Sequence, residues 1–242
     1  MLTLRRLLPE SDEIEALEAY ALPAKPHLRA NMVSSVDGAA TMGGRVGTLT
    51  GPADQVLLRV LRSLADVLLV GAGTVRGEGY GPVRCAPQAV PVRAAAGQLP
   101  AARLAVVTRQ MDLDLTSSAF TEAPVRPIVI TSGSAPQEKV DAAAEVADVI
   151  VTGDEEIDLA DAVAQLHALG LPRILSEGGP RLLADLFAGD LVDELCWAVS
   201  PLVLGGGSES RITNGATLDE PTRLRLGSVY ESDDYLFLRY QR

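Results

Sequence analysis

Helix-like and strand-like segments alternate along this chain up to residue 187, and only strand-like segments follow. Leucines recur at helical spacing between residues 52 and 64, which indicates a helix, whereas a short apolar run such as 67–70 indicates a buried strand. Alternating strands and helices predict a parallel sheet, and the strand-rich end predicts that antiparallel strands extend it. The sequence therefore predicts an α/β protein built on one mixed sheet.

The individual elements follow from the same patterns. The predicted helices are 52–64, 136–146, 159–169 and 181–187. The predicted strands are 28–33, 67–70, 104–107, 128–130, 149–151, 174–175, 194–199, 202–203, 224–230 and 235–240. Residues 82–100 are rich in Pro, Ala and Gly and are predicted to form an irregular loop. The charged, proline-containing residues 1–27 are predicted to be an N-terminal arm, which leaves 28–242 as a single domain.

Composition argues against several classes of partner. The formal net charge is −11 and no dense cluster of lysine and arginine occurs, so the basic face of a nucleic-acid binder is missing. Two cysteines and two histidines match no metal-binding spacing, so no metal site is predicted. No apolar run is long enough to span a bilayer, and the N-terminus lacks the apolar core of a signal peptide. We therefore expect a cytoplasmic protein without a membrane partner.

The segment 174–183 is the strongest indication of a ligand site. It combines a short apolar strand, two glycines and a helix that begins at Pro180, where proline is well tolerated. Glycines let a ligand approach the backbone, and a helix start offers unpaired N–H groups that hold phosphate. The residues predicted to bind a cofactor diphosphate are Gly178, Gly179, Pro180, Arg181 and Leu182. The alternative is a helix cap between two core elements.

Two further strand ends carry similar residues. Gly71 and Thr74 follow one predicted strand, although Arg76 stands where a dinucleotide fingerprint requires glycine. Thr108 and Arg109 follow another, and Arg109 is a candidate for binding the 2′-phosphate that distinguishes NADPH from NADH. The alternative for Gly71 and Thr74 is a tight strand-to-helix turn without a ligand. The alternative for Arg109 is a solvated loop arginine. Because ligands bind at the carboxyl ends of strands in open α/β sheets, the three strand ends together predict one dinucleotide.

Other polar residues remain for a second ligand, and they are Ser35, Asp37, Arg62, Arg84 and Glu177. The two arginines are candidates for holding a phosphate on that ligand, although Arg62 could equally lie on a helix surface. Asp37 precedes a glycine and could be a turn residue. No nucleophile-elbow or Walker motif occurs, which favours a reaction that takes its reactive atom from a cofactor.

Several of these runs, taken in order, resemble the reductase half of the bacterial bifunctional riboflavin-biosynthesis deaminase-reductase. They are 31–38, Thr50, Arg62, Asp66, 70–75, 177–180, 191–195 and 201–206, within a match over about 28–240. The run 74–82 is most similar to stand-alone actinobacterial members. The His-x-Glu and Cys-x-x-Cys pattern of the zinc deaminase half does not occur in this sequence.

The resemblance implies a dihydrofolate-reductase-like fold, with helices on both faces of a mixed sheet, and a homodimer. It also implies NADPH as the cofactor and a phosphorylated small molecule, a pyrimidinone ribosylamine 5′-phosphate, as the substrate. By the family's pattern, the cofactor would contact Val33, Thr48, Thr74, Glu78, Thr108 and the run from Gly179. The substrate would contact Val46, Arg62, Pro82, Arg84 and Glu177. Thr48 stands where the family often has an aromatic residue, and Glu78 where it usually has aspartate.

The implied reaction reduces the ribosyl group to ribityl by hydride transfer to C1′. Alignment of the reactants can lower such a barrier by about 7–11 kcal/mol. Asp37 or Glu177 is predicted to relay the accompanying proton, and the residues do not decide between them. Two alternatives remain: a dihydrofolate or pteridine reductase on the same scaffold, and a nucleotide-binding paralogue that has lost its chemistry.

Overall fold

The computed structural model describes residues 3–8, 10–205, 211–215, 218 and 220–242. Gly206, the last residue of the resembling runs, lies outside them. The helices are α1 (Ala16–Ala19), α2 (Pro52–Leu64), α3 (Ala72–Glu78), α4 (Val90–Ala95), α5 (Ser118–Thr121), α6 (Gln137–Val146), α7 (Leu159–Ala168) and α8 (Pro180–Ala188). The strands are β1 (Thr3–Leu8), β2 (Glu10–Glu15), β3 (His27–Ser35), β4 (Val67–Gly71), β5 (Arg103–Val107), β6 (Ile128–Thr131), β7 (Asp148–Val151), β8 (Arg173–Ser176), β9 (Glu194–Ser200), β10 (Arg225–Ser232) and β11 (Tyr235–Gln241).

The strands form one mixed sheet in the order β2-β1-β10-β11-β9-β3-β8-β4-β5-β6-β7. Neighbouring strands from β9 to β7 are parallel, and those from β9 back to β2 are antiparallel, which confirms the predicted mixed sheet. Strand β8 lies between β3 and β4, although it follows β7 in the chain. The carboxyl ends of these three strands therefore meet at one edge, next to a reversal of strand order, where ligands of open sheets bind.

Helices pack on both faces of the sheet, and the side chains of β4 alternate between them. Leu68 and Val70 lie in one core with the leucines of α2, whereas Val67 and Leu69 lie in the other with α7 and α8. Burial on both faces explains why the parallel strands are continuous apolar runs in the sequence. Among the described helices, none is both long and apolar enough to cross a membrane.

Two predictions of local structure are wrong. Residues 202–203 are not a strand; Val203 is 71% exposed, and a single backbone hydrogen bond joins Leu202 to the turn after β3. Residues 82–100 are not wholly irregular, because they contain a 3₁₀ turn (Pro87–Ala89) and α4. The buried guanidinium of Arg93 explains this helix, since it donates to the carbonyls of Ser63 and Ala65 at the end of α2.

The first residues contribute to the sheet. Strand β1 pairs with β10, and β2 pairs with β1 at the outer edge. The charges that suggested an arm are compatible with strands here, because charged side chains are common on the edge strands of sheets. The domain boundary at residue 27 stays a prediction.

A buried polar cluster lies at the start of β9. The carboxylate of Glu194 accepts hydrogen bonds from Arg239 at 2.7 Å and Arg29 at 3.0 Å, and it lies 3.1 Å from the ring nitrogen of His27. Burial opposes the charge of Glu194, but the His27 bond and the two arginines outweigh it, so the pKa of Glu194 is lowered. Because the folded-state pKa lies below the unfolded value of about 4.3, the stabilisation is present above that pH and is lost as the pH falls below it.

Glu194→Gln is therefore expected to lower the free energy of unfolding by about 3 kcal/mol at neutral pH, because breaking a buried ion pair leaves an uncompensated charge. It should also flatten the loss of stability below pH 4. Urea denaturation at several pH values measures both effects. Glu231→Gln is the matched control, because its partner Arg5 is 65% exposed and the pair should contribute less than about 1 kcal/mol. Equal losses in the two variants would contradict this account.

Candidate functional site

A cavity of about 580 Å³, called here the sheet-edge cavity, lies at the carboxyl ends of β3, β8 and β4. One face of α2, the start of α3 and the turn before α8 form much of its wall. The predicted site residues that line it are Val33, Val46, Arg62, Thr74, Glu78, Pro82, Glu177, Gly179 and Pro180. Those that do not are Ser35, Asp37, Thr48, Gly71, Arg84, Thr108, Arg109, Gly178, Arg181 and Leu182.

Two glycine turns meet at this edge because β4 and β8 are neighbours. The N–H of Gly71 donates to the carbonyl of Gly178 at 2.8 Å, and the peptide bond between Gly178 and Gly179 is cis. A Cβ on Gly179 would lie 2.6 Å from the hydroxyl of Thr74, so a side chain there would force a shift. Of these turns, Gly73 and Gly179 line the cavity beside the N-terminus of α8, whose amides and dipole favour an anion.

Arg62, Tyr80 and Glu177 form a tightly bonded set on the same wall, and Glu177 directly precedes the turn at Gly178 and Gly179. Arg62 on α2 donates from Nε and Nη2 to the two carboxylate oxygens of Glu177, each at 2.7 Å. The hydroxyl of Tyr80 donates to Glu177 at 2.5 Å, and the Arg62 guanidinium lies over the Tyr80 ring. Such a bidentate pair fixes both side chains in one geometry.

Burial, and then the charge of Glu177, raises the pKa of Tyr80 well above its usual value, so its hydroxyl keeps its proton. Burial opposes the charge of Arg62, but the bonds and attraction of Glu177 outweigh it and raise its pKa. The role of Glu177 toward a second ligand stays a prediction.

Sequence reasoning missed Asp54, in the first turn of α2. It lines the cavity with only 5% of its surface exposed, and burial raises its pKa to about 6 despite a hydrogen bond from Thr50. An acidic residue in a first helical turn is ordinary in a sequence, because it complements the helix dipole. That this carboxyl faces the cavity depends on how α2 packs against the sheet, which the sequence does not show.

Asp37 and Ser35 lie just outside the cavity lining. The exposed carboxylate of Asp37 accepts hydrogen bonds from the Ser35 hydroxyl at 2.5 Å and from the N–H of Gly205 at 2.8 Å. The Ser35 bond, followed by the bonds from Gly205 and Leu204, lowers the pKa of Asp37. This carboxylate thus joins the turn after β3 to residues 204–205. Its proton-relay role stays a prediction.

The predicted phosphate-binding arginines outside α2 are exposed. Arg84 is 66% exposed and lies 4.0 Å from Glu122, whereas Arg109 is 50% exposed and pairs with Glu156 beside a smaller cavity of about 300 Å³. Of the two predicted threonines outside the lining, Thr48 is exposed and Thr108 is buried. The binding roles of these four residues stay predictions.

Comparison with known proteins decides the family. The model of the family described as the RibD C-terminal domain matches residues 26–238. The chain belongs to this family. A relative, the 2,5-diamino-6-ribosylamino-4(3H)-pyrimidinone 5′-phosphate reductase of Methanothermobacter thermautotrophicus, is 30% identical over 218 residues, which are 85% of this chain and 95% of that protein.

Solved structures agree with this membership of the RibD C-terminal domain family. A pyrimidine reductase-like protein from Corynebacterium diphtheriae superposes with a TM-score of 0.85 at 29% identity, covering 94% of this chain and 98% of that one. A deaminase and 5-amino-6-(5-phosphoribosylamino)uracil reductase from Thermotoga maritima gives 0.66 at 18% identity, covering 90% and 56%, and so shows the fold alone. The dihydrofolate-reductase-like fold is confirmed, and a reductase of this family implies a nicotinamide cofactor.

Proposed function

We propose that this protein is an NADPH-dependent reductase that converts the ribosyl group of a pyrimidinone ribosylamine 5′-phosphate to ribityl, a step of riboflavin biosynthesis. The observation that carries the proposal is that two glycine turns and the Arg62–Glu177 pair open onto the same cavity. One part of the wall suits a dinucleotide, and the other suits a polar second ligand. The name of the Methanothermobacter relative supports this substrate class.

The cofactor part of the site fits its ligand by shape. Gly179 lines the cavity without a side chain, and a Cβ there would lie 2.6 Å from the hydroxyl of Thr74. A diphosphate needs this close approach, and the N–H groups at the start of α8 are suited to bind it. We therefore assign the dinucleotide to Gly71, Thr74 and residues 178–182. The preference for NADPH is assigned to Arg109, whose guanidinium would have to leave Glu156 to bind a 2′-phosphate.

When bound, the nicotinamide cofactor supplies the hydride for C1′ of the substrate. The protein's residues hold the substrate and balance the charge. The bond between C1′ and the ring oxygen breaks, and a proton must reach that oxygen or the neighbouring nitrogen. Glu177 is the proposed route of this proton, because it lies on the cavity and is hydrogen-bonded to the protonated hydroxyl of Tyr80.

Arg62 is the proposed contact of the substrate in the same set. Glu177 holds its Nε and Nη2, so the orientation of the guanidinium is fixed while Nη1 lies outside that pair. Pro82 and Val46 also line the cavity, and the exposed Arg84 follows Pro82 in the chain. A homodimer and a cytoplasmic location are further parts of the proposal.

The test is a reductase assay with purified protein. We expect NADPH absorbance to fall when a ribosylaminopyrimidine 5′-phosphate is added, with the ribityl compound as the product. Turnover of dihydrofolate alone would support the pteridine-reductase alternative instead. Tight NADPH binding without turnover of any pyrimidine would support the silent paralogue.

A further inference from the structure

The hydroxyl of Tyr235 is a buried polar group to which the proposed reaction gives no role. Tyr235 is the first residue of β11 and is 7% exposed, and its hydroxyl donates to the carbonyl of Leu49 at 2.8 Å. The same hydroxyl accepts a hydrogen bond at 3.3 Å from Ser200, the last residue of β9. Because Leu49 is fully buried, its carbonyl needs a partner within the protein, and Tyr235 supplies it.

The ring of Tyr235 lies directly against Gly51, the N-cap residue of α2. A Cβ on Gly51 would lie 2.7 Å from the hydroxyl oxygen of Tyr235 and 2.9 Å from its ring carbon Cε2. Only glycine permits so close an approach of the backbone to the ring. Tyr235 thus contacts the chain on both sides of Thr50, through a hydrogen bond to Leu49 and through packing against Gly51.

Residues 49–51 join a loop to a helix, and both of these elements line the sheet-edge cavity. Val46 lies on the loop and Arg62 on α2, and both line the cavity, as does Thr50 between them. Tyr235 is not part of the described lining of this cavity. The tyrosine therefore acts on a bound ligand through the elements that it holds.

The hairpin of β10 and β11 fixes the position of Tyr235. Its two-residue turn, 233–234, has positive φ at both positions, as in the turns whose twist matches that of paired strands. Beyond the turn, Leu236 of β11 pairs with Val199 of β9, so Tyr235 lies next to Ser200. The hydroxyl is therefore held in place by the antiparallel half of the sheet.

We propose that Tyr235 is a positioning residue for the reductase, because its hydroxyl and ring fix the junction between the loop and α2. This inference rests on the proposed function, in which Arg62 of α2 contacts the substrate. The residues assigned to the dinucleotide belong to other elements, the turns after β4 and β8. Loss of the Tyr235 hydroxyl should therefore impair the use of the substrate and leave the binding of NADPH unchanged.

Tyr235→Phe removes the hydroxyl alone and leaves the buried carbonyl of Leu49 without its donor, so the junction loses its fixed position. We expect kcat/KM for the ribosylaminopyrimidine 5′-phosphate to fall by about 10- to 100-fold, because a displacement of about 1 Å in a positioning group can cost about 100-fold in rate. The Kd for NADPH should stay within about twofold of the wild-type value. A merely structural loss would instead reduce the stoichiometry of NADPH binding, which calorimetry measures, and leave the KM for the pyrimidine unchanged.

The matched control is Tyr230→Phe, which removes another buried tyrosine hydroxyl from the antiparallel half of the sheet. Tyr230 is 0% exposed, and its hydroxyl accepts a hydrogen bond at 3.4 Å from Arg6 of β1, away from the junction at 49–51. Its loss should lower the stability of the protein but leave kcat/KM of the folded enzyme within about twofold of the wild-type value.

Gly51→Ala tests the same contact from the other side. The new Cβ would force the start of α2 away from Tyr235, so kcat/KM should again fall by about 10-fold or more. The fall should be smaller in a Tyr235→Phe background, because the two changes act through one contact, and a double-mutant cycle measures this coupling.

Hydrogen exchange of the free protein supplies a readout that does not depend on activity. Amides of residues 39–51 should exchange about 10-fold faster in Tyr235→Phe than in the wild type, whereas those of 180–188 should exchange at the wild-type rate. Unchanged exchange at 39–51, or unchanged kcat/KM in folded Tyr235→Phe, would overturn this inference and leave the proposed reductase function intact.

The remaining outcomes are also decisive. Equal falls of kcat/KM in Tyr235→Phe and Tyr230→Phe would overturn the inference. Wild-type protein that reduces no ribosylaminopyrimidine would overturn the proposed function and, with it, the positioning role in that reaction. If Tyr235→Phe does not fold, an unchanged kcat/KM in Gly51→Ala would overturn the inference.

Discussion

Replacing Glu177 by glutamine is expected to lower kcat/KM for the pyrimidine substrate by about 100-fold or more. The wild-type carboxylate holds Arg62 through two bonds of 2.7 Å and accepts a third from Tyr80. Glutamine has a single acceptor oxygen and no charge, so the guanidinium loses its fixed orientation. A displacement of about 1 Å in a positioning group can cost about 100-fold in rate. Steady-state kinetics measure the effect, and its dependence on pH tests the proton route.

The matched control for this variant is Asp66→Asn. Asp66 and Arg173 form a similar buried bidentate pair, at 2.8 and 3.1 Å, but away from the cavity. Breaking this pair should lower the free energy of unfolding by about 3 kcal/mol while kcat/KM of the folded enzyme stays near the wild-type value. If Glu177→Gln retained wild-type kcat/KM, the role assigned to the Arg62–Glu177 pair would be wrong.

Replacing Gly179 by alanine is expected to weaken NADPH binding by about 10- to 100-fold, because a shifted turn would lose a hydrogen bond to the charged diphosphate, which is worth about 1.5–3 kcal/mol. The new Cβ would lie 2.6 Å from the hydroxyl of Thr74, so either that hydroxyl or the glycine turn must move. Both changes disturb the backbone surface assigned to the dinucleotide. Calorimetric titration with NADPH measures the loss.

A second variant identifies the collision as the cause. Thr74→Ala removes the hydroxyl that the new Cβ would meet. Gly179→Ala should therefore weaken NADPH binding by a smaller factor in a Thr74→Ala background than it does in the wild type. Thermal unfolding checks that each variant is folded. Affinity within twofold of wild type in Gly179→Ala would contradict the assignment of the dinucleotide to this turn.

The sequence predicts those elements whose signals are local. Helix α2 begins at Pro52 and ends at Leu64, as its leucine spacing and its proline indicate. The turn from β8 into α8 is also predictable, because two glycines followed by Pro180 favour a strand-to-helix turn. In each case the residues that determine the structure lie within a few positions of one another.

Contacts between distant segments are not predictable in this way. The pairing of Arg62 with Glu177 spans 115 residues and depends on β8 lying between β3 and β4. The position of Asp54 on the cavity wall depends on the same sheet order. The sequence therefore does not indicate that this carboxyl lines a site. Helix α4 was missed for a related reason, since its buried Arg93 binds carbonyls about 30 residues away in the chain.

The most direct test of the central claim uses NADPH that carries deuterium at the transferable position of the nicotinamide ring. The wild-type protein is given this cofactor and the ribosylaminopyrimidine 5′-phosphate, and the product is analysed by mass spectrometry and NMR. The account predicts a ribityl product with one deuterium, located at C1′. A ribityl product without deuterium, or no product from folded protein that binds NADPH, would contradict it.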